Sequence, residues 1–434
     1  MTNHMTESPR AGVHGMRWLS TVAVLAFFFL GCGDWLKVTN PSLIQEEQLS
    51  DPALKPLIVN GVVGAFQNAY GTYVEWSSVL SDEAVSDHTT VSTREISLHS
   101  FNDQNGANNG TFVDLQRARQ SADDAVLRIK TMVGAAAASD VDVARVLAYA
   151  GYAFVLLGEG FCEATVNLSP GLTSEELLRR AVAHFDSATA IATAAKAGAT
   201  GAKLADAQDI LNMSNVGAAR ASLWLGNVTQ ARTYAQAVPS SYEKWAYYSS
   251  NSTAENNVMK NATTNPGGSW GLHPRFLGLS DPRVPQPALP MLGLNSNPIY
   301  PPQRPEQYSG WSAATMQKID IDTDVRFVSG LEAQYILAET DGPTAATLAF
   351  VNARRAVGKQ AAVTLSGTAL MDELRTQRSR DFYLTGQRLG DLRRYLKAGL
   401  DLFPTGMYAT YPEPYGTDKC FIVPRSEKTG NPNY

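Results

Sequence analysis

Apolar residues recur at helical spacing along most of this chain. Between 51 and 80, Leu54, Leu57, Ile58, Val62, Phe66 and Ala69 fall on one face of a helix. The same periodicity predicts helices over 111–133, 140–157, 173–195 and 205–225, then over 329–339 and 343–358. Thr173 with Glu176 three residues later matches a capping box. A last pair is predicted over 368–399, with Thr368 as N-cap and Asp372 and Glu373 in the first turns, where the helix dipole favours negative charge. Leu370, Leu374 and Phe382 share its inner face. Gly386 breaks the run, Leu389, Leu392 and Leu396 point inward from a second helix starting near Arg388, and Gly399 follows as a C′ residue.

Two stretches lack the period. Residues 90–110 are rich in Asn, Asp and Gly and read as a long loop. From Pro239 to Asp324, Gly, Pro, Ser and Asn dominate, interleaved with Trp245, Tyr247, Tyr248, Trp270, Phe276, Tyr300, Tyr308 and Trp311. So many aromatics can bury much surface, which makes this an insertion of loops and short strands, not a flexible linker. Asp320, Asp322 and Asp324 alternate with Ile319 and Ile321. This spacing offers oxygen ligands for calcium, but the plainer reading is a strand with one wet face. Gly226, Ala231 and Ala235 sit where tetratricopeptide-type helix pairs need small residues, although no strict repeat is present and an irregular α bundle is the competing reading.

Composition narrows the class. The net charge is −5 and no basic tract is present, which argues against nucleic acid as partner. The run 18–30 is apolar, too short for a good membrane span, and ends in Gly31-Cys32. It fits a secretory signal whose following cysteine carries lipid, with an ordinary secreted protein or an uncleaved anchor as the alternatives. The expected layout is signal 1–31, tether 32–50 and one domain 51–434. That domain is helical over 51–238 and 329–399, with an insertion over 239–328 and a coil tail over 400–434. No HExxH, GxSxG, CxxC or phosphate-cradling glycine loop is present. Adjacent carboxylates such as Asp82 and Glu83 do not establish a glycosidase pair, so no enzyme is expected.

The stretch from Arg375 to Tyr395 is dense in arginine: Arg375, Arg378, Arg380, Arg388, Arg393 and Arg394, with Asp381 and Asp391 between them. Arginine's planar fork binds carboxylates while its stem packs, so a partly buried ion-pair lattice joining two helices is expected. Arg378, Arg380, Gly386, Arg388, Asp391, Leu392, Arg393 and Arg394 also match the C-terminal signature of the SusD/RagB family, nutrient-binding outer-membrane lipoproteins. Gln377, Asp381 and Thr385 depart from it. The Val-Thr-Asn-Pro after Cys32 and the closing Asn-Pro resemble the same family.

The resemblance implies a mostly α, SusD-like fold of degenerate tetratricopeptide-type helix pairs packed as one globule around the insertion. It further implies a lipid-anchored protein of the outer membrane, facing outward, that captures a glycan or a peptide. Such a protein passes its ligand to a SusC-like TonB-dependent transporter and needs no cofactor. A helical-repeat scaffold binding only protein is the alternative. Ligand residues are expected in the loop after the first helix and in the insertion: Trp76, Trp245, Tyr247, Trp270 and Trp311, with Arg94 and Asn102 as polar partners. Each of those aromatics has core packing as its competing role. With Cys32 lipidated, Cys162 and Cys420 remain for a disulfide in an oxidising compartment, two buried thiols being the alternative.

Overall fold

In a computed structural model the described residues are 49–260, 270–312 and 318–434. The signal and the lipidation candidate Cys32 lie outside them. The chain divides into residues 1–50 and a unit spanning Asp51–Tyr434, which carries the fold.

That unit is mostly helical. Its first half contains α1 (Lys55–Val79), α2 (Val91–Ser97), α3 (Gly106–Val133), α4 (Val141–Gly160), α5 (Ser174–Lys196), α6 (Gly201–Leu225) and α7 (Val228–Gln236). After the insertion come α8 (Gly330–Asp341), α9 (Ala345–Val357), α10 (Gly367–Asp381), α11 (Arg388–Lys397) and α12 (Arg425–Gly430). Consecutive helices from α3 to α7 pack on one another, as in helix-pair repeats. At their centre lies α4, buried on nearly all sides from Val143 to Gly160 and in contact with α1, α3, α5, α6 and α11. Among the described residues it alone is long and apolar enough to cross a membrane, but it is the core helix here. Close approach is why glycine is needed at two points: a Cβ on Gly151 would sit 2.7 Å from the Phe185 ring, and Gly217 faces the same ring more closely still.

Small residues do seat α7, where buried Ala231 and Ala235 meet Ala219, Ala333 and Ile336. Gly226 ends α6 in the left-handed region at φ 82°. The capping box at Thr173 forms, with Thr173 N donating to Glu176 at 2.8 Å.

The insertion is built from short two-stranded pieces: β1 (Ala84–Ser86) with β5 (Trp270–Leu272), β4 (Glu243–Ala246) with β8 (Val325–Ser329), and β6 (Met291–Leu292) with β7 (Pro298–Ile299). Outside it, β2 (Glu163–Ala164) pairs with β3 (Leu172–Thr173).

Four expectations need correction. Residues 90–110 are not one loop, because they hold α2 and the start of α3, whose N-cap Asn105 accepts from Ala107 N and Asn108 N. This helix start is signalled by its cap, not by apolar period. The last helix pair starts two residues earlier than expected, with Ser366 and not Thr368 at the N-cap. Residues 319–324 turn instead of forming a strand: Asp320 N donates to Thr323 Oγ1 (2.9 Å), and Thr323 N donates to the Asp320 carbonyl (3.1 Å). The tail is not all coil, since it carries α12.

The tail is also pinned. Cys162 and Cys420 are disulfide-bonded, with Cα atoms 5.3 Å apart. Beside them Phe421 N donates to the Gly160 carbonyl (2.9 Å), and the Asn108 amide exchanges two 2.9 Å bonds with the Ile422 backbone.

The arginine lattice forms and reaches further than two helices. Arg378 on α10 binds Asp391 on α11 at 2.7 Å. Arg388 reaches Asp82 after α1, Arg394 reaches Glu339 on α8, and Arg393 caps the end of α4 through the carbonyls of Gly158, Glu159 and Phe161. Next to Asp82, burial pushes Glu83 up to about 8; one oxygen accepts from Leu384 N (2.8 Å) and the other has no partner. The folded state therefore keeps a proton that the unfolded chain releases from about 4.5 upward. The stability this contributes is complete at acid pH and lost as pH rises through about 8. Glu83→Gln should shrink that decline, seen as urea midpoints that differ less across the window than in the parent chain, the remainder coming from buried Glu75 and Glu332.

Candidate ligand-binding cleft

The insertion is bolted to the C-terminal helices, and this rigidity shapes its surface. Arg283, fully buried, donates to Asp281 (2.9 and 2.7 Å), to Gln377 Oε1 (2.8 Å) and to Asp381 (3.0 Å) on α10. Gln307 Nε2 donates to the Tyr383 carbonyl and Tyr308 Oη to that of Leu384, both at 2.7 Å. Prolines 282, 285 and 287 fix φ along the intervening backbone, which turns at 281–284 where Val284 N donates to the Asp281 carbonyl (3.1 Å).

Between segments 277–288 and 300–312 this leaves a cleft of about 630 Å³, closed on one side by Lys359 after α9. Trp311, Tyr300 and Leu277 supply its apolar surface. Arg304, Gln286 and Ser280 supply polar groups. Arg304 is itself fixed, donating to the Lys318 carbonyl (3.1 Å) and to Asp320 (3.2 Å). Flat apolar faces with a few oriented polar groups suit a ligand that has both, such as a sugar ring.

The residues singled out from the sequence do not form one constellation. Trp311 lines the cleft. Trp76 and Trp270 meet edge to face at 5.6 Å, and Trp270 is 4% exposed. Trp245 is half-buried on β4. Tyr247, 60% exposed, borders a separate hollow of about 300 Å³ between α1, α4 and β4. Arg94 pairs with Glu413 and lies over the Tyr411 ring at 5.3 Å. Asn102 is exposed and accepts from Gln104 N at 2.9 Å. Gln286, Arg304 and Lys359 were not among the expected residues. Only the proline-rich 281–290 text marks their neighbourhood, and Lys359 arrives from outside the insertion.

Asp82 and Asp324 are both engaged. Burial would raise Asp82, but the guanidiniums of Arg388 and Arg275 outweigh it and hold its carboxyl far below the usual range. Asp324 accepts from Tyr248 N at 2.9 Å. Among the described residues no group of three or more His, Cys, Asp or Glu could hold a metal ion.

Helix pairs, a loop-built insertion bolted to α10 and the turn after it, and a pinned tail make up a SusD-type fold. A SusD superfamily protein from Bacteroides vulgatus superposes with a TM-score of 0.65 at 12% identity, covering 88% of this chain and 98% of its own. A SusD-like carbohydrate binding protein from the same organism gives 0.61 at 14% identity, covering 88% and 96%. Surface glycan-binding protein A from Bacteroides uniformis gives 0.60 at 12% identity, covering 87% and 98%. No family profile and no curated protein matches the sequence. At these identities the likeness is one of fold, and function has to be argued from the site.

Proposed function

We propose that this protein is a lipid-anchored glycan-binding protein of the outer membrane that captures an oligosaccharide in the insertion cleft. The observation that carries the reading is the cleft itself: Trp311 and Tyr300 beside fixed polar groups, on a SusD-type scaffold. Two similar structures are described as carbohydrate-binding or glycan-binding. A scaffold that binds only protein has no need of such an insertion. In this reading Cys32 carries the anchor and the ligand passes to a SusC-like TonB-dependent transporter. Trp245 and Tyr247, apart from the cleft, would serve as secondary contacts for a long chain.

The test is a binding screen of the chain lacking residues 1–32 against oligosaccharides and peptides. A saccharide should bind, and Trp311→Ala should weaken it at least about tenfold, the loss of ~1.4 kcal/mol expected for one stacking ring, with the melting temperature unchanged. Trp270→Ala should instead lower the melting temperature, because that ring is core. Binding of peptides alone, or saccharide affinity untouched by Trp311→Ala, would refute the assignment. The anchor is tested separately: Cys32→Ala should release the protein from the membrane.

A further inference from the structure

Another concavity, of about 230 Å³, opens where the segment after α1, the turn at 274–276, α10 and α11 converge. Three guanidiniums line it, from Arg275, Arg375 and Arg388, against two carboxylates, from Asp82 and Asp372. The lining therefore carries one positive charge in excess. Nearby groups do not cancel it. His273 is held neutral, burial having lowered it to about 4, and Glu83 keeps its proton at neutral pH. Asp391 is taken by Arg378 (2.7 Å) and Arg394 (3.4 Å).

The hydrogen-bond inventory points the same way. Asp82 is the shared carboxylate of two of the three arginines, accepting from Arg388 Nε (2.5 Å) and Nη2 (2.7 Å) and from Arg275 Nη1, while Arg275 Nη2 donates to Ser379 Oγ (3.2 Å). Arg388, 5% exposed, spends Nε and Nη2 on Asp82, which leaves Nη1 to offer to the concavity. Arg375 gives Nη1 to Asp372 (2.7 Å) and lies over the Tyr395 ring at 5.4 Å. Its Nε is buried with no partner. A guanidinium N–H removed from bulk water and left unpaired, as at Arg375 Nε, is costly, and an anion between Arg375 and Arg388 restores the charge balance and supplies an acceptor.

We infer that this concavity binds a small oxyanion, either free sulfate or phosphate or the carboxylate of an acidic sugar, on Arg375 and Arg388. The volume suits one such group, and planar guanidinium forks suit its oxygens. The inference does not depend on what the insertion cleft binds, since the two share no lining residue.

Calorimetric titration of the full-length chain with sodium sulfate, sodium phosphate, D-glucuronate and D-glucose, against chloride at matched ionic strength, tests it. Saturable one-to-one binding of sulfate or phosphate supports the site and a free-ion source. Binding of glucuronate but not glucose supports a sugar carboxylate. Arg375→Gln should weaken binding about tenfold, the weight of one charge-assisted hydrogen bond. Asp372→Asn removes an opposing charge at an exposed position and should tighten it, a readout that survives if the first variant folds poorly. Heats indistinguishable from chloride, or affinities unmoved by both substitutions, would overturn the inference.

Discussion

Asp381→Ala should destabilise the folded chain by about 3–5 kcal/mol, the range for removing one partner of a buried ion pair. Asp381 is 1% exposed and holds three side chains together through four hydrogen bonds. It accepts from Arg354 on α9 through Nε (2.8 Å) and Nη2 (2.7 Å), from Arg283 in the insertion at 3.0 Å, and from the Tyr335 hydroxyl on α8. Burial alone would raise its carboxyl, and the hydrogen bonds and charges of Arg354 and Arg283 bring it below the usual range instead. Its truncation leaves Arg283, itself fully buried, with Asp281 as its remaining carboxylate. The loss is thus a charge imbalance as well as a missing contact. Urea denaturation measures it directly. A drop under about 1 kcal/mol, the scale of a surface pair, would show that water reaches this centre and that the insertion is held by other means.

Reducing the Cys162–Cys420 bond, or replacing Cys420 with Ser, should cost about 2–5 kcal/mol. The cysteines lie 258 residues apart in sequence, so in the chain-entropy view the bond removes much freedom from the unfolded ensemble. The native tail has other holds, because Phe421 is fully buried and Asn108 clamps Ile422. The tail should therefore remain docked at low temperature, and the effect should appear as a lower melting temperature. The unreduced, denatured chain lacking residues 1–32 should titrate no free sulfhydryl. Two free thiols in that titration, or equal melting temperatures with and without reductant once both thiols are shown free, would contradict this account.

The helices could be read from the chain because their signals are short-range. Apolar period over three or four residues, the capping pair Thr173 and Glu176, and Gly226 and Gly399 at helix ends act within one or two turns. The arginine-rich pair was readable for the same reason, down to Leu389 and Leu392 facing the core. Parity of the cysteines anticipated the disulfide, although only the approach of the tail to the end of α4 makes the bond geometrically possible. Elsewhere residue type was not enough. Trp270 and Trp311 are the same side chain in similar loop text, yet one is core and the other lines a cleft. The alternation from Ile319 to Asp324 mimics a strand, but Asp320 and Thr323 close a turn on each other. Asp82, Asp281 and Glu339 become partners of the arginine stretch only because α1, the insertion and α8 converge on it. Elements follow from local steric and hydrogen-bond preferences, which the residues carry with them. A cleft or a buried charge centre is a relation between segments distant in sequence. It arises only once burial has fixed which faces meet and which polar groups must find partners there.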